Sequence, residues 1–166
     1  DNPADPRSLS DQTINGMMWD AEGALWVLTN LGGINYMSKQ TKRFDYYSPA
    51  YLSGIAGAGE VVGPFCENKD GNIWIGTQSG LYFFNTVTRE LSEYHIRSLM
   101  LDGDCLWIGT YAEGIRVLNL RTGSIKEYTH SRGIPNTICS NDVLCIYKDR
   151  KGEIFVGTSW GLCRYN

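Results

Sequence analysis

Four segments of the chain share one short pattern: an aromatic residue, a run that ends in threonine, a turn that ends in glycine, and a second apolar run. They are LWVLTNLGGINYM (25–37), IWIGTQSGLYFFN (73–85), LWIGTYAEGIRVLN (106–119) and IFVGTSWGLCRYN (154–166). Their aromatic residues are 48, 33 and 48 residues apart, a mean of 43, and they are Trp26, Trp74, Trp107 and Phe155. A repeat period of about 40–50 residues is typical of a four-stranded propeller blade, and the 3.6-residue periodicity of helical repeats is absent. The repeat therefore predicts an all-β chain.

Each unit divides in the same way, with an inner strand, a tight turn, the aromatic strand, a second turn, a third strand and an outer strand. The tight turns are DAEG (20–23), NKDG (68–71), DGD (102–104) and DRKG (149–152); Asp or Asn bonds back to nearby amides there, and Gly takes a positive φ. The outer strands are FDYY, LSEY and IKEY. We predict a partial β-propeller over residues 1–166, with repeat units at approximately 10–47, 60–94, 95–128 and 141–166 and an insertion loop at 48–59. The last blade is predicted to be incomplete, and the sequence is expected to be a segment of a longer ring.

The aromatic residue recurs at one position in every unit, which favours packing between adjacent sheets over contact with a ligand. We therefore expect all four aromatic residues to be buried between sheets. We also expect no helix longer than about two turns, because propeller blades are built from strands alone.

Composition excludes several classes of function. The net charge of −3 and the pI of about 5.3 argue against a surface for nucleic acid or anionic membranes. No apolar run approaches the roughly 18 residues that a membrane helix needs, so no membrane contact is expected. The five cysteines are scattered without a C-x-x-C pair, and His95 and His130 are far apart in the sequence. We predict small buried thiols, no metal site and no cofactor.

The repeat pattern I-x-x-I-x-x-D-x-x-G-x-[LI]-W-[IV]-G-T-x-x-G-[LI] resembles the two-component regulator propeller repeat. The best match is NKDGNIWIGTQSGLYFFN (68–85). The resemblance implies a periplasmic sensor region of a hybrid two-component receptor of polysaccharide-degrading bacteria. Such regions detect oligosaccharides and pass the signal to histidine-kinase modules, which this chain does not contain. The resemblance thus implies a ligand-sensing segment that is not itself an enzyme.

Successive strands of an up-and-down blade reverse direction, so the turns between strands two and three share a face with the connections between blades. Loops on a rigid scaffold commonly carry binding residues. A planar aromatic in such a turn can stack on a sugar ring, while polar side chains pair with hydroxyls. On this basis the candidate ligand-binding residues are Trp160, Tyr111, Glu113, Gln78, Asn30, Ser159 and Asn141. The 48–59 insertion is predicted on the same face, either as a lid or partner contact or as a loop without a role.

Other interpretations remain open at this stage. Trp160 and Tyr111 can instead pack on a neighbouring blade. The chain can be a protein-interaction scaffold of the WD-repeat type, because one fold hosts many functions. A propeller lyase or glycan hydrolase is less favoured, because most carboxylates lie in the tight turns, where capping explains them, and G-x-S-x-G is absent.

Four blades without closure leave an apolar sheet face at each end, and repeat arrays need caps to remain soluble. We predict a homodimer that closes an eight-bladed ring, in which the first unit of one chain meets the fourth unit of the other, twice. Residues 1–10 are expected to extend toward the partner's incomplete fourth blade.

Overall fold

The computed structural model describes residues 8–40, 44–47, 62–78, 80–83 and 95–165. All regular structure in these residues is β-strand, which confirms the predicted all-β class and, in these residues, the expected absence of long helices. The chain divides into two compact units, Asp1–Ser92 and Glu93–Asn166. The predicted 48–59 insertion and the predicted LSEY outer strand lie outside the described residues.

The first unit contains two antiparallel sheets. One has four strands in the order β1-β2-β3-β4, and the other has three in the order β5-β6-β7. The strands are β1 (Ile14–Trp19), β2 (Leu25–Thr29), β3 (Gly33–Met37), β4 (Phe44–Tyr47), β5 (Val62–Glu67), β6 (Ile73–Thr77) and β7 (Leu81–Phe83).

The second unit repeats this arrangement. A four-stranded sheet has the order β8-β9-β10-β11, and a three-stranded sheet has the order β12-β13-β14. The strands are β8 (Ile96–Asp102), β9 (Cys105–Thr110), β10 (Ile115–Asn119), β11 (Ile125–Tyr128), β12 (Val143–Lys148), β13 (Ile154–Thr158) and β14 (Gly161–Tyr165). Four sheets of three or four sequentially paired strands are the blades of a partial propeller.

The tight turn between the first two strands of a blade is fixed by its first side chain. The Oδ1 atom of Asp20 accepts a hydrogen bond from the amide of Ala24 at 2.7 Å. Asn68 and Asp149 accept in the same way from the residue four positions on, both at 2.9 Å. The turn glycines have positive φ values of 80°, 77° and 87°, and they are Gly23, Gly71 and Gly152. The sequence prediction for these turns is confirmed.

The recurring threonine fixes the second turn. Its Oγ1 donates to the carbonyl oxygen of the turn glycine in all four blades, at distances of 2.9–3.2 Å. The pairs are Thr29–Gly33, Thr77–Gly80, Thr110–Gly114 and Thr158–Gly161. Because three of these threonines are buried at 0–2 % exposure and Thr158 at 6 %, the bond satisfies a hydroxyl that would otherwise be costly to bury.

Each unit has its core between its two sheets. In the first unit, Trp26, Leu28 and Ile34 pack with Ile73 and Ile75 of the next sheet. In the second, the core residues are Trp107, Ile115, Val143, Ile146, Ile154 and Val156. The second core is tied by a hydrogen bond from the Ile146 amide to Ser98 Oγ at 2.8 Å.

Three of the four recurring aromatic residues are buried as predicted, with 6–8 % exposure: Trp26, Trp74 and Trp107. The prediction is wrong for Phe155, which is only half-buried. Its neighbours Ile154 and Val156 point into the core of the second unit. Side chains alternate along a strand, so Phe155 lies on the opposite face of its sheet.

In both units, the segment that precedes the first strand of a blade is linked to the third strand of the same blade. The kind of bond differs between the two units. In the first unit, the Ser10 amide donates to Asn35 Oδ1 at 3.0 Å. In the second, the corresponding residues Cys139 and Cys163 form a disulfide with a Cα–Cα distance of 6.1 Å. The prediction of small buried thiols is therefore wrong for this pair. The other cysteines are free, and Cys145 is exposed.

Candidate functional site

The candidate ligand surface of the second unit is the edge where the turns between the second and third strands lie beside the residues that precede the inner strands. We call it the turn edge; it comprises residues 95–97, 111–114, 130, 140–142 and 159–160. The amide of Tyr111 donates to the carbonyl of His95 at 2.9 Å, and that of Ser159 donates to the carbonyl of Asp142 at 3.0 Å. These backbone bonds hold side chains that are distant in sequence next to one another.

Tyr111 is the centre of a charged cluster at this edge. Its side chain is 54 % exposed, its ring centroid lies 5.8 Å from that of His95, and the Arg97 guanidinium lies 5.7 Å from it. Arg97 Nη1 is paired with Asp142 Oδ1 at 2.8 Å. Burial holds the pKa of His95 below its usual value, and the charge of Arg97 adds to this effect while that of Asp142 opposes it. Neutral His95 therefore offers hydrogen-bonding nitrogens rather than a fixed charge.

Trp160 lies beside the connection between the two blades. It is 73 % exposed, and its ring is 5.5 Å from that of His130 in an edge-to-face arrangement. His130 is itself held, since its amide donates to Asn141 Oδ1 at 2.6 Å and its Nδ1 lies 2.8 Å from the carbonyl oxygen of Ile138. Among the residues that the structure describes, neither the Trp160 ring nor the Tyr111 ring, which is 54 % exposed, is buried against a neighbouring blade.

Five of the predicted site residues are on the turn edge: Tyr111, Glu113, Asn141, Ser159 and Trp160. The Ser159 hydroxyl lies 3.1 Å from that of Ser140, and Glu113 is exposed. Asn141 has a structural role. Its backbone carbonyl accepts a hydrogen bond from the Gly114 amide, and its side chain accepts one from the His130 amide.

The other two predicted residues, Gln78 and Asn30, are in the equivalent turns of the first unit. Gln78 is exposed, and Asn30 Oδ1 accepts from Asn15 Nδ2 at 3.5 Å. The structure thus assigns them to a different compact unit from the other five.

Sequence reasoning missed His95, Arg97, Asp142 and His130 as members of this surface. Arg97 lies within an inner strand, and the other three lie in or beside the connections between blades, from which only Asn141 was taken as a candidate. A usable signal was present, since His95 and Asp142 directly precede the inner strands that begin at Ile96 and Val143.

An open cleft of about 800 Å³ lies between the outer parts of the two blades of the second unit. Its aromatic wall consists of Trp107, Tyr128 and Tyr165, and its rim includes Thr137 and Arg164. The two tyrosine hydroxyls are 2.9 Å apart and pair with each other. None of the predicted site residues lines this cleft, whereas five of them lie on the turn edge, so we take the turn edge as the candidate site for a polar ligand.

No group of three or more His, Cys, Asp or Glu side chains that could hold a metal ion is found within the described ranges. In the same part of the chain, no helix has the length and apolar character needed to cross a membrane.

Comparison with known proteins identifies the repeats. Residues 58–79 and 137–160 match the family model described as two component regulator propeller. The chain carries two-component regulator propeller repeats. The resemblance seen in the sequence is thereby confirmed, and the matches fall on the second and fourth predicted units. No curated protein matches the chain.

Solved structures share the fold of these propeller repeats. The extracellular domain of BT4673 from B. thetaiotaomicron, described as a hybrid two component system, is similar with a TM-score of 0.78 and 24 % identity over 95 % of this chain. That of BT3049 from the same organism has a TM-score of 0.74 and 26 % identity, also over 95 % of this chain. The chain spans only 22 % of the length of either. The computationally designed protein Ika4 is similar over 95 % of this chain and 94 % of its own, with a TM-score of 0.62 and 17 % identity.

Proposed function

We propose that this chain is a ligand-sensing segment of the periplasmic propeller of a hybrid two-component receptor. In this proposal it detects an oligosaccharide and passes the signal to kinase modules outside the chain, without catalysing a reaction. Two observations support the sensor assignment: the two-component regulator propeller repeats, and the shared fold with extracellular domains described as hybrid two component systems.

The proposal that the ligand is an oligosaccharide rests on the pair of exposed aromatic rings on the turn edge. Trp160 and Tyr111 are 73 % and 54 % exposed, although aromatic side chains of this size usually contribute to cores. The apolar face of a sugar ring stacks on such a surface, and its hydroxyls pair with neighbouring polar groups. Arg97, Asp142 and Ser159 supply donors and acceptors on the same edge.

The disulfide supports an oxidising compartment. Cys139 and Cys163 are joined across a sequence separation of 24 residues. Disulfides form and persist in extracellular and periplasmic proteins and are rare in the cytosol. A periplasmic location agrees with this chemistry and with the extracellular placement of the similar domains.

The test begins with a glycan array probed with the intact ectodomain that contains this chain. The oligosaccharide that binds is then titrated by calorimetry into the wild type and into Tyr111→Ala and Trp160→Ala. Because buried aromatic anchors carry much of the energy of a binding surface, each substitution is expected to weaken binding by about 1–3 kcal/mol. Ile125→Ala is the matched control, since Ile125 is 44 % exposed and lies at the opposite end of the sheet.

Three results would contradict the proposal. Unchanged affinity in both aromatic variants would remove the turn edge as the ligand surface. Cleavage products in the bound oligosaccharide, detected by mass spectrometry, would indicate an enzyme. A protein partner captured without any glycan affinity would indicate an interaction scaffold.

A further inference from the structure

An ion pair joins the two blades of the second unit at the turn edge. Arg97 lies in β8, and Asp142 directly precedes β12. Arg97 Nη1 donates to Asp142 Oδ1 at 2.8 Å, and the two side chains keep 35 % and 25 % of their surface exposed. Within the ranges that the structure describes, this is the only hydrogen bond that either side chain makes. Because a guanidinium has five N–H groups and a carboxylate has two oxygens, the pair retains donors and an acceptor for a ligand.

This ion pair lies beside the Tyr111 ring. The guanidinium carbon of Arg97 is 5.7 Å from the ring centroid, and Tyr111 remains 54 % exposed. A sugar that stacks on the exposed part of the ring therefore brings the hydroxyl groups at its edge next to the pair. Since a hydroxyl group both donates and accepts, neighbouring hydroxyls of one sugar suit the adjacent donors of Arg97 and acceptor of Asp142.

The charges around Tyr111 disfavour an acidic ligand. Asp142 already neutralises Arg97, so a carboxylate on the ligand would compete with it for the guanidinium. His95 lies against the Tyr111 ring, and its neutral form is favoured because burial and the charge of Arg97 lower its pKa. Glu113, in the same turn as Tyr111, is exposed and adds a negative charge.

The ion pair also disfavours a cationic sugar. An amino group would compete with Arg97 for the Asp142 carboxylate, and it would lie next to the guanidinium, where two like charges repel each other. An uncharged sugar binds without separating the pair, because it needs only the donors and the acceptor that the pair leaves unused.

We infer that the oligosaccharide bound at the turn edge is uncharged, and that Arg97 and Asp142 determine this specificity. The inference rests on the proposed function and adds the class of sugar. In Asp142→Asn, an amide of the same shape replaces the carboxylate and leaves the Arg97 charge unpaired. The planar guanidinium is then available to bind a carboxylate through two parallel hydrogen bonds. The substitution is therefore expected to change which sugars bind, in addition to weakening the binding of uncharged ones.

A glycan array probed with the intact ectodomain that contains this chain tests the inference. The array holds oligosaccharides of equal length in the gluco, galacto and manno series, each as the hexose, the uronic acid and the amino sugar. The wild type is expected to bind hexose members alone. Asp142→Asn should bind the hexose about tenfold more weakly, because it loses a charged acceptor, and should bind the corresponding uronic acid. That new binding should weaken as NaCl is added, since it depends on exposed charges.

Asp102→Asn is the matched control. Asp102 pairs with Lys148 Nζ at 2.6 Å, and this pair joins β8 and β12 at the opposite edge of the same two sheets. Its loss should leave the sugars bound and their affinities unchanged. In the double variant Arg97→Gln with Asp142→Asn, binding of the uronic acid should disappear, because the guanidinium is no longer present. Circular dichroism establishes that each variant is folded.

The outcomes separate this inference from the proposed function. If the wild type binds a uronic acid or an amino sugar and loses it in Tyr111→Ala, the inference is overturned and the proposed function stands. The same holds if Asp142→Asn gains no uronic acid, or if Asp102→Asn gains it equally. An array without a bound sugar, or hexose binding that neither Tyr111→Ala nor Trp160→Ala weakens, would contradict the proposed function and the inference together.

Discussion

Gly109 is the position where one added methyl group most sharply tests the packing of the second unit. A Cβ atom there would lie 2.6 Å from Val143 Cγ1 and 3.2 Å from the Cβ of Ser98, whereas favourable carbon contacts need about 3.5–4.0 Å. Val143 is completely buried, and the bond from Ile146 to Ser98 restrains the two sheets from separating. Overpacking of this kind costs about 1–3 kcal/mol, so Gly109→Ala is expected to lower the free energy of unfolding by that amount.

Urea denaturation followed by tryptophan fluorescence measures the change. Gly16→Ala is the matched control, because its Cβ would meet only Phe65, at an ordinary 3.7 Å, and it should change stability by less than about 0.5 kcal/mol. In the double variant with Val143→Ala, the loss of two methyl groups makes room for the new one. The combined destabilisation should therefore fall short of the sum of the single effects by about 1 kcal/mol. A neutral Gly109→Ala, or strictly additive effects, would refute the reasoning.

Two further predictions concern the cysteines. Cys163→Ser should lower the free energy of unfolding by about 3 kcal/mol, because the disulfide closes a loop whose ends are 24 residues apart and restricts the unfolded chain; dithiothreitol should reproduce the loss in the wild type and leave the variant unchanged. Burial raises the pKa of the Cys66 thiol to about 12, so iodoacetamide at about pH 8 should modify exposed Cys145 and spare Cys66, because the thiolate is the nucleophile. Equal labelling of the two in a mass-spectrometric time course would contradict this.

The parts of the fold that recur could be predicted from the sequence. These parts are the turns with their Asp or Asn residues, their glycines of positive φ and the threonines at strand ends. Each of these residues bonds to or shapes the backbone only a few positions away. Every copy of the pattern therefore contains all the residues that its own turns require. The buried state of Trp26, Trp74 and Trp107 followed from the same recurrence.

The parts that depend on distant neighbours could not be predicted. Phe155 has the right position in the repeat, but the core of its unit is on the other face of its strand. Cys139 and Cys163 meet because a connecting segment crosses a third strand, and their spacing does not reveal it. The pairing of Arg97 with Asp142 likewise joins residues 45 positions apart, and only the tertiary structure makes them one surface with Tyr111.

Hydrogen exchange with and without the oligosaccharide that the array identifies tests the central claim most directly, because it reports where on the chain the ligand acts. We expect slower exchange of backbone amides in residues 111–114 and 159–160, with no change in the tight turns at 102–104 and 149–152, which lie at the opposite edge of the second unit's sheets. Protection confined to the cleft, at residues 136–138 and 163–165, would contradict the account. So would binding without any protection in the second unit.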